Sequence, residues 1–138
     1  MTPVGEVRRT EPVEAKWLGG YHASVSVRQF TVDVDEPPSV GGTDEGPMPT
    51  EYLLIALSSC YALAIAHVAR RDGIELGPFR VTAQGVYDGP CFASFELMVR
   101  TDGPPPPELG GLLQRARRVC YVSNTLARSV DVVARIAD

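Results

Sequence analysis

Residues 51–71 of the chain read EYLLIALSSCYALAIAHVARR, an almost wholly apolar run with a cysteine at its centre. Pro49, just before the run, suits the first turn of a helix, and Glu51 lies where the helix dipole is positive. Two arginines close the run at the negative end, and Gly73 stands where a helix is commonly terminated. The run therefore predicts a buried central helix over 50–72.

The same run is long enough to cross a membrane, because about 18 apolar residues is the usual threshold. We reject a membrane span because the run is rich in alanine and carries Ser58, Ser59 and His67, and because the rest of the chain alternates as strands of soluble proteins do. A helix that is apolar nearly all round needs cover on every side. A chain of 138 residues can hardly supply that cover alone, so we expect an obligate homodimer with the long helices at its centre.

Strand and helix patterns flank the central helix on both sides. Apolar residues alternate in the strand segments and recur at helical spacing in the second helix, while prolines and glycines mark the loop before the central helix. The predicted elements are a strand meander at 13–35, a loop at 36–49, the helix at 50–72, strands at 79–101, a second helix at 107–120 and a C-terminal strand at 130–137. The predicted fold class is α+β, in a single domain over 1–138.

Composition argues against several classes of function. Lys and Arg number 13 against 17 Asp and Glu, and the basic residues are scattered, so a nucleic-acid surface is not expected. The N-terminus is charged and lacks an apolar segment, which predicts a cytoplasmic protein without a signal peptide and without a membrane partner. Three dispersed cysteines and two histidines offer neither a disulfide framework nor zinc spacing. We therefore expect no metal.

Cys60 and Cys120 carry the clearest chemical signal. Taken alone, each thiol is a small core side chain more often than a catalyst. A peroxide-reducing thiol needs an apolar pocket, a nearby positive charge that holds the thiolate, and a second thiol that resolves the sulfenic acid. Because both cysteines fall on apolar helical faces, they meet this last need if those faces pack together.

Two segments then carry a family resemblance. They are GGTDEGPMPTEYLLIALSSCYA at 41–62 and CYVSNTLARSVDV at 120–132. In this order, with sixty residues from the first cysteine to the second, they resemble the OsmC/Ohr family of osmotically induced and organic hydroperoxide resistance proteins, in particular its OsmC-like branch. The resemblance covers essentially the whole chain. It implies antiparallel sheets packed around two long central helices in an intertwined homodimer, with two sites at the subunit interface.

The resemblance also implies a chemistry, that of a thiol-dependent peroxidase acting on organic or small hydroperoxides. Cys60 matches the peroxidatic position of the family and Cys120 the resolving position. A sulfenic acid on Cys60 would condense with Cys120 to a disulfide, which an external dithiol would reopen. This chemistry requires no metal and no organic cofactor.

The remaining members of the candidate catalytic set are Glu51 and Arg28. Thr50 occupies the position where the family has a glutamate, and Glu51 follows one residue later, about 13 Å of helical rise from Cys60. The family's thiolate-stabilising arginine comes from the N-terminal region; Arg28, at a phase slip between predicted strands, is the candidate here, and Arg117 is a weaker one. The alternative interpretations are a charge favoured by the helix dipole for Glu51 and an exposed strand-end charge for Arg28.

Two other functions stay open. The replacement of the usual glutamate by Thr50 leaves room for a non-catalytic dimer that binds small lipophilic molecules in the same interfacial pocket. A thiol redox sensor is the third possibility, although the acidic balance of the chain provides no DNA-binding surface.

Overall fold

The computed structural model describes residues 7–137, which form two small antiparallel sheets and three α-helices. In chain order the elements are β1 (Glu14–Gly19), β2 (His22–Val27), β3 (Phe30–Val34), a 3₁₀ turn (Pro38–Val40), α1 (Pro49–Arg71), β4 (Phe79–Asp88), β5 (Cys91–Thr101), α2 (Leu109–Val119) and α3 (Tyr121–Leu126). The α+β class predicted from the sequence is confirmed.

The first of two compact units extends to Tyr52 and holds the three-stranded sheet, in the order β1-β2-β3. The strands pair as an antiparallel meander, with Trp17 opposite Ala23 and Val25 opposite Val32. The phase slip seen in the sequence falls at the turn between β2 and β3, where Arg28 has a φ of 51°. The apolar alternation changes phase there because the chain reverses direction.

Asp35 organises the loop at 36–49 that leads into α1. Its carboxylate is inaccessible to solvent and accepts hydrogen bonds from the Thr43 hydroxyl at 2.7 Å and from the backbone N–H groups of Glu36 at 2.7 Å and Glu45 at 3.1 Å. Burial opposes ionisation, but these hydrogen bonds outweigh it and lower the pKa of Asp35 to about 2. A charged acceptor therefore holds the loop in one conformation.

The second compact unit begins at Leu53 and holds the β4–β5 hairpin, most of α1, and the two shorter helices. One face of α1 packs against α2 and the hairpin. The buried core consists of Tyr61, Ala64, Ile65, Val68 and Ala69 on α1 with Leu112, Ala116 and Cys120, and the sheet adds Phe79, Val81, Leu97 and Val99. By length and apolarity alone α1 could cross a membrane, yet this face of the helix supplies the core of the second unit.

Another side of α1 carries exposed apolar side chains. Ile55 is 48% exposed and Leu63 is 71% exposed, two helical turns further along the same side. This side of α1 is therefore open to solvent in the single chain.

The second helix, predicted over 107–120, begins two residues later and ends one residue earlier in the structure. α2 covers Leu109–Val119, and Cys120 leaves the helical conformation with φ −82° and ψ 103° before α3 begins. Apolar spacing continued through position 120, but that spacing reports which face is buried rather than where the backbone changes direction.

The predicted C-terminal strand at 130–137 is also wrong for the described chain. These residues form no strand, and Val132 and Ile136 are 91% and 96% exposed. Apolar alternation becomes a strand only when a partner edge supplies hydrogen bonds, and no strand among residues 7–137 pairs with this segment. The structure divides into the two compact units described above, and the single domain over 1–138 stays a prediction.

Candidate active site

The candidate site lies where the middle of α1 meets the junction of α2 and α3. Cys60 is half-buried on α1, and Cys120 is fully buried at the break between the two shorter helices. Both thiols are free, and the Cys120 thiol lies close enough to Cys60 to raise the pKa of the Cys60 thiol. Two cysteines sixty residues apart in the sequence are therefore direct neighbours in the structure.

The helix break at Cys120 also brings backbone N–H groups to the thiol of Cys60. Burial raises the pKa of Cys60, and the adjacent Cys120 thiol raises it further, whereas hydrogen bonds from the N–H groups of Val122 and Tyr121 act in the opposite direction. The net effect favours the neutral thiol. Among residues 7–137, the groups that stabilise the Cys60 thiolate are backbone amides rather than an arginine.

A cavity of about 350 Å³ lies near the two cysteines, although neither thiol is among its lining residues. It is lined by Leu57, Tyr61, Phe95, Leu97, Arg117, Ser123, Leu126 and Ala127. Tyr61 follows Cys60 on α1, and the Ser123 hydroxyl donates a hydrogen bond to the Cys120 carbonyl at 3.2 Å, so the cavity wall and the surroundings of the thiols share residues. The volume falls within the range of about 300–1,000 Å³ that is typical of small-molecule pockets.

Arg117 places a positive charge in this otherwise mainly apolar wall. It lies one helical turn before Cys120, and one of its guanidinium nitrogens donates to the side-chain oxygen of Asn124 at 2.7 Å. The amide nitrogen of Asn124 in turn donates to the carbonyl of Arg118 at 3.0 Å. Asn124 therefore ties Arg117 across the break between α2 and α3.

Tyr61 is influenced electrostatically by both Cys120 and Arg117. Its hydroxyl donates a hydrogen bond to the Leu113 carbonyl at 3.2 Å. Burial and then the nearby Cys120 raise the pKa of Tyr61, while the charge of Arg117 acts against both. The phenol is therefore neutral at neutral pH, and it leaves the positive charge of Arg117 uncompensated.

Arg28 and Glu51 have other interactions in the structure. Arg28 is exposed in the first compact unit, with its guanidinium carbon 5.1 Å from the centre of the Phe30 ring. Glu51 accepts the N–H of Met48 at 2.9 Å and so caps the start of α1. Their catalytic roles stay predictions. From the sequence we preferred Arg28 to Arg117 as the candidate arginine. The sequence signal for Arg117 was its position one helical turn before Cys120.

The fold and the site together define an α+β protein with a pair of adjacent cysteine thiols beside a mainly apolar cavity. Within residues 7–137, no group of three or more His, Cys, Asp or Glu side chains is arranged to hold a metal ion. The reactive groups that the structure brings together here are the thiols of Cys60 and Cys120.

Comparison with known proteins identifies the family. The family model described as OsmC-like protein matches residues 42–135, which is more than half of the chain. The chain belongs to the OsmC-like protein family, as the resemblance of its two cysteine segments indicated.

Solved structures share the fold over most of their length. An OsmC-like protein from Mycoplasma pneumoniae superposes with a TM-score of 0.76 at 16% identity, covering 88% of this chain and 89% of that one. An organic hydroperoxide resistance protein from Elizabethkingia anophelis has a TM-score of 0.68 at 25% identity, covering 86% and 89%. An organic hydroperoxide resistance protein OsmC from Legionella pneumophila has a TM-score of 0.64 at 24% identity, covering 88% and 91%.

A curated relative matches a shorter part of the chain. The uncharacterized protein YmaD of Bacillus subtilis is 25% identical over 76 residues, which is 54% of this chain and 51% of that protein. The chain thus spans about half the length of this relative.

Proposed function

We propose that this protein is a thiol-dependent peroxidase that reduces organic or small hydroperoxides to alcohols. The observation that carries the proposal is the closeness of the Cys60 and Cys120 thiols in a part of the fold that also holds a mainly apolar cavity. Membership of the OsmC-like family and similarity to the Elizabethkingia anophelis organic hydroperoxide resistance protein support it.

The proposed reaction uses both sulfurs. The Cys60 thiolate attacks the terminal oxygen of ROOH, the O–O bond breaks, and a proton converts the departing alkoxide to ROH. The sulfur loses two electrons and becomes a sulfenic acid. The Cys120 thiol then condenses with it, which forms an S–S bond and releases water, and an external dithiol reduces the disulfide back to two thiols. The backbone N–H groups of Tyr121 and Val122 favour the thiolate that starts the cycle.

Glu51 and Arg28 complete the proposed catalytic set. Glu51 lies one residue after the position of the family's glutamate, and Arg28 lies in the N-terminal region that supplies the family's arginine. A guanidinium brought beside Cys60 would lower the pKa of its thiol and raise the thiolate fraction at neutral pH. The test is turnover in Arg28→Gln and Glu51→Gln. Turnover equal to that of the unmodified protein would remove the residue concerned from the set.

The decisive experiment follows the fate of the thiols. We expect one equivalent of cumene hydroperoxide to remove both the Cys60 and Cys120 thiols and to link them, as shown by peptide mapping. We expect Cys60→Ser to abolish turnover and Cys120→Ser to leave a sulfenic acid that dimedone traps. Cys91→Ser, which changes an exposed cysteine at the start of β5, is the matched control and should keep full turnover. Peptide maps with Cys60 and Cys120 untouched would reject the proposal.

The proposed working form is an obligate intertwined homodimer in the cytoplasm, with antiparallel sheets packed around central α1 and α2 helices. Exposed apolar side chains on α1 and in the segment at 130–137 support this assembly, because clustered exposed apolar surface marks interfaces. The expected partners are the hydroperoxide, the external dithiol and the second subunit, without nucleic acid or membrane.

A second candidate is a non-catalytic dimer that binds small lipophilic molecules. Two observations favour it: the raised pKa of the Cys60 thiol and the mainly apolar cavity wall. It predicts that apolar ligands stabilise the protein against heat equally in Cys60→Ser, without peroxide consumption. A redox sensor would instead form the Cys60–Cys120 disulfide once, without repeated turnover in the presence of dithiol.

A further inference from the structure

We propose that Arg117 makes the cavity selective for amphiphiles that carry an anionic group, so that the preferred occupant is an apolar molecule with a carboxylate. This inference deepens the proposed function. If the protein is a peroxidase, the same preference makes its substrate a carboxylate-bearing organic hydroperoxide, and this step rests on the proposed function. The binding preference itself depends only on the cavity and its charge.

The cavity wall has the two parts that such a ligand requires. Leu57, Phe95, Leu97 and Leu126 form an apolar surface for a hydrocarbon tail. Arg117, in the same wall, supplies a guanidinium, whose planar fork of N–H donors matches the two oxygens of a carboxylate. Charge complementarity therefore points to an anion rather than a neutral apolar molecule.

The charge of Arg117 is available to a ligand because no carboxylate of the described chain neutralises it. Within residues 7–137, Arg71 and Arg115 both form ion pairs with Asp72, whereas Arg117 forms none. Its hydrogen bond goes to Asn124, a neutral amide. A guanidinium has further donors beyond the one that this bond uses.

The surroundings of Arg117 orient its guanidinium and strengthen its attraction for an anionic ligand. Arg117 is half-buried, so its charge lies near the protein surface, where the effective dielectric constant is lower than in bulk water. An ion pair is stronger there than in bulk water. Asn124 fixes one edge of the guanidinium across the α2–α3 break, so less side-chain entropy is lost when a ligand binds.

The neighbouring tyrosine does not compete for this charge. Tyr61 lines the cavity and donates its hydroxyl to the Leu113 carbonyl. A neutral phenol that is already engaged as a donor leaves the carboxylate of a ligand as the natural partner of Arg117.

The test compares octanoate with octanol, which share an apolar chain and differ in charge. Binding to the full-length reduced protein is measured by isothermal titration calorimetry at pH 7 and low salt, without peroxide. Because a hydrogen bond to a charged group contributes more than a neutral one, we expect octanoate to bind about tenfold more tightly than octanol. We expect this preference to disappear in Arg117→Gln and to survive in Arg117→Lys in weakened form.

Arg118→Gln is the matched control, because it removes the same charge from the adjacent, exposed position. The preference for octanoate should survive in it. Equal binding of octanoate and octanol by the unmodified protein, binding of neither, or an unchanged preference in Arg117→Gln would each overturn the inference. The first two outcomes need no variant, so they hold even if Arg117→Gln fails to fold.

Turnover with a neutral hydroperoxide separates this inference from the proposed function. Cumene hydroperoxide carries no anionic group, so its reduction tests the thiol chemistry alone. If the unmodified protein showed no preference for octanoate but still reduced cumene hydroperoxide, only the role of Arg117 would be overturned. A retained preference for octanoate without any reduction of cumene hydroperoxide would overturn only the proposed peroxidase activity.

Discussion

The thiol of Cys60 combines two opposing influences at the scale of a single residue. Burial and the adjacent Cys120 favour its neutral form, whereas two backbone amides favour its thiolate. The sequence could single out both cysteines by motif, but it could not predict this pKa, because the groups that determine it come from the α2–α3 break. A half-buried cysteine without these neighbours would have no special reactivity as a thiol.

We predict that removing the Cys120 thiol lowers the pKa of Cys60. In Cys120→Ser the burial and the backbone hydrogen bonds remain, but the neighbouring thiol that raises the pKa is gone. The pH profile of alkylation by iodoacetamide, read at Cys60 by mass spectrometry, should shift to lower pH relative to the unmodified protein. Cys91→Ser should leave this profile in place, and an unshifted profile in Cys120→Ser would contradict the predicted coupling of the two thiols.

Asp35 yields a prediction about acid stability. Its folded pKa of about 2 lies below the roughly 3.9 of an unperturbed aspartate, so its charge stabilises the fold above about pH 4 and this contribution is lost as the pH falls towards 2. Asp35→Asn should lower the Tm by several degrees at pH 7, and the difference from the unmodified protein should shrink between pH 4 and pH 2. Thermal melts across this range test it, with the exposed Asp131→Asn as the control. A constant difference across the range would refute it.

At the scale of secondary structure, the loop at 36–49 positions the start of α1. Sequence composition predicted a loop there, and the structure adds a close backbone approach at two of its glycines. A Cβ on Gly42 would collide with the carbonyl of Glu36, and one on Gly46 would collide with the carbonyl of Asp33. Neither glycine has a positive φ, so space rather than backbone conformation requires them.

We predict that Gly42→Ala destabilises the protein by about 1–3 kcal/mol, the usual cost of overpacking. The backbone carbonyl of Glu36 cannot move aside as the end of a flexible side chain would. Urea denaturation measures the effect. Gly103→Ala, whose Cβ would meet no atom within 4 Å, should change stability by no more than about 0.5 kcal/mol. Equal effects of the two substitutions would disprove the close-approach argument.

At the scale of the whole molecule, one side of α1 exposes apolar side chains to solvent. Leu63 is 71% exposed in the middle of a helix that otherwise supplies the core of the second unit. The proposed homodimer accounts for such a side chain, since a second copy would remove it from water.

We predict that Leu63→Glu weakens or abolishes the dimer. A buried carboxylate without a partner is strongly unfavourable at an apolar interface, so the variant should be monomeric at micromolar concentrations at which the unmodified protein is dimeric. Sedimentation velocity measures the mass. Gln114→Glu adds the same charge to an exposed position of α2 and should leave the dimer intact. A monomeric unmodified protein would count against the proposed assembly.

The sequence by itself determined the α+β class, the position of α1 to within one residue at each end, and the pairing of two cysteine segments in one family. Those features depend on local periodicity, end signals and motifs, which the chain carries in full. Tertiary structure alone decided the contact between the two thiols, the place of Arg117 in the cavity wall, and the absence of a strand at 130–137 within one chain. These depend on which backbone and side-chain groups meet across the fold, because hydrogen bonds, burial and charge act through space and not along the sequence.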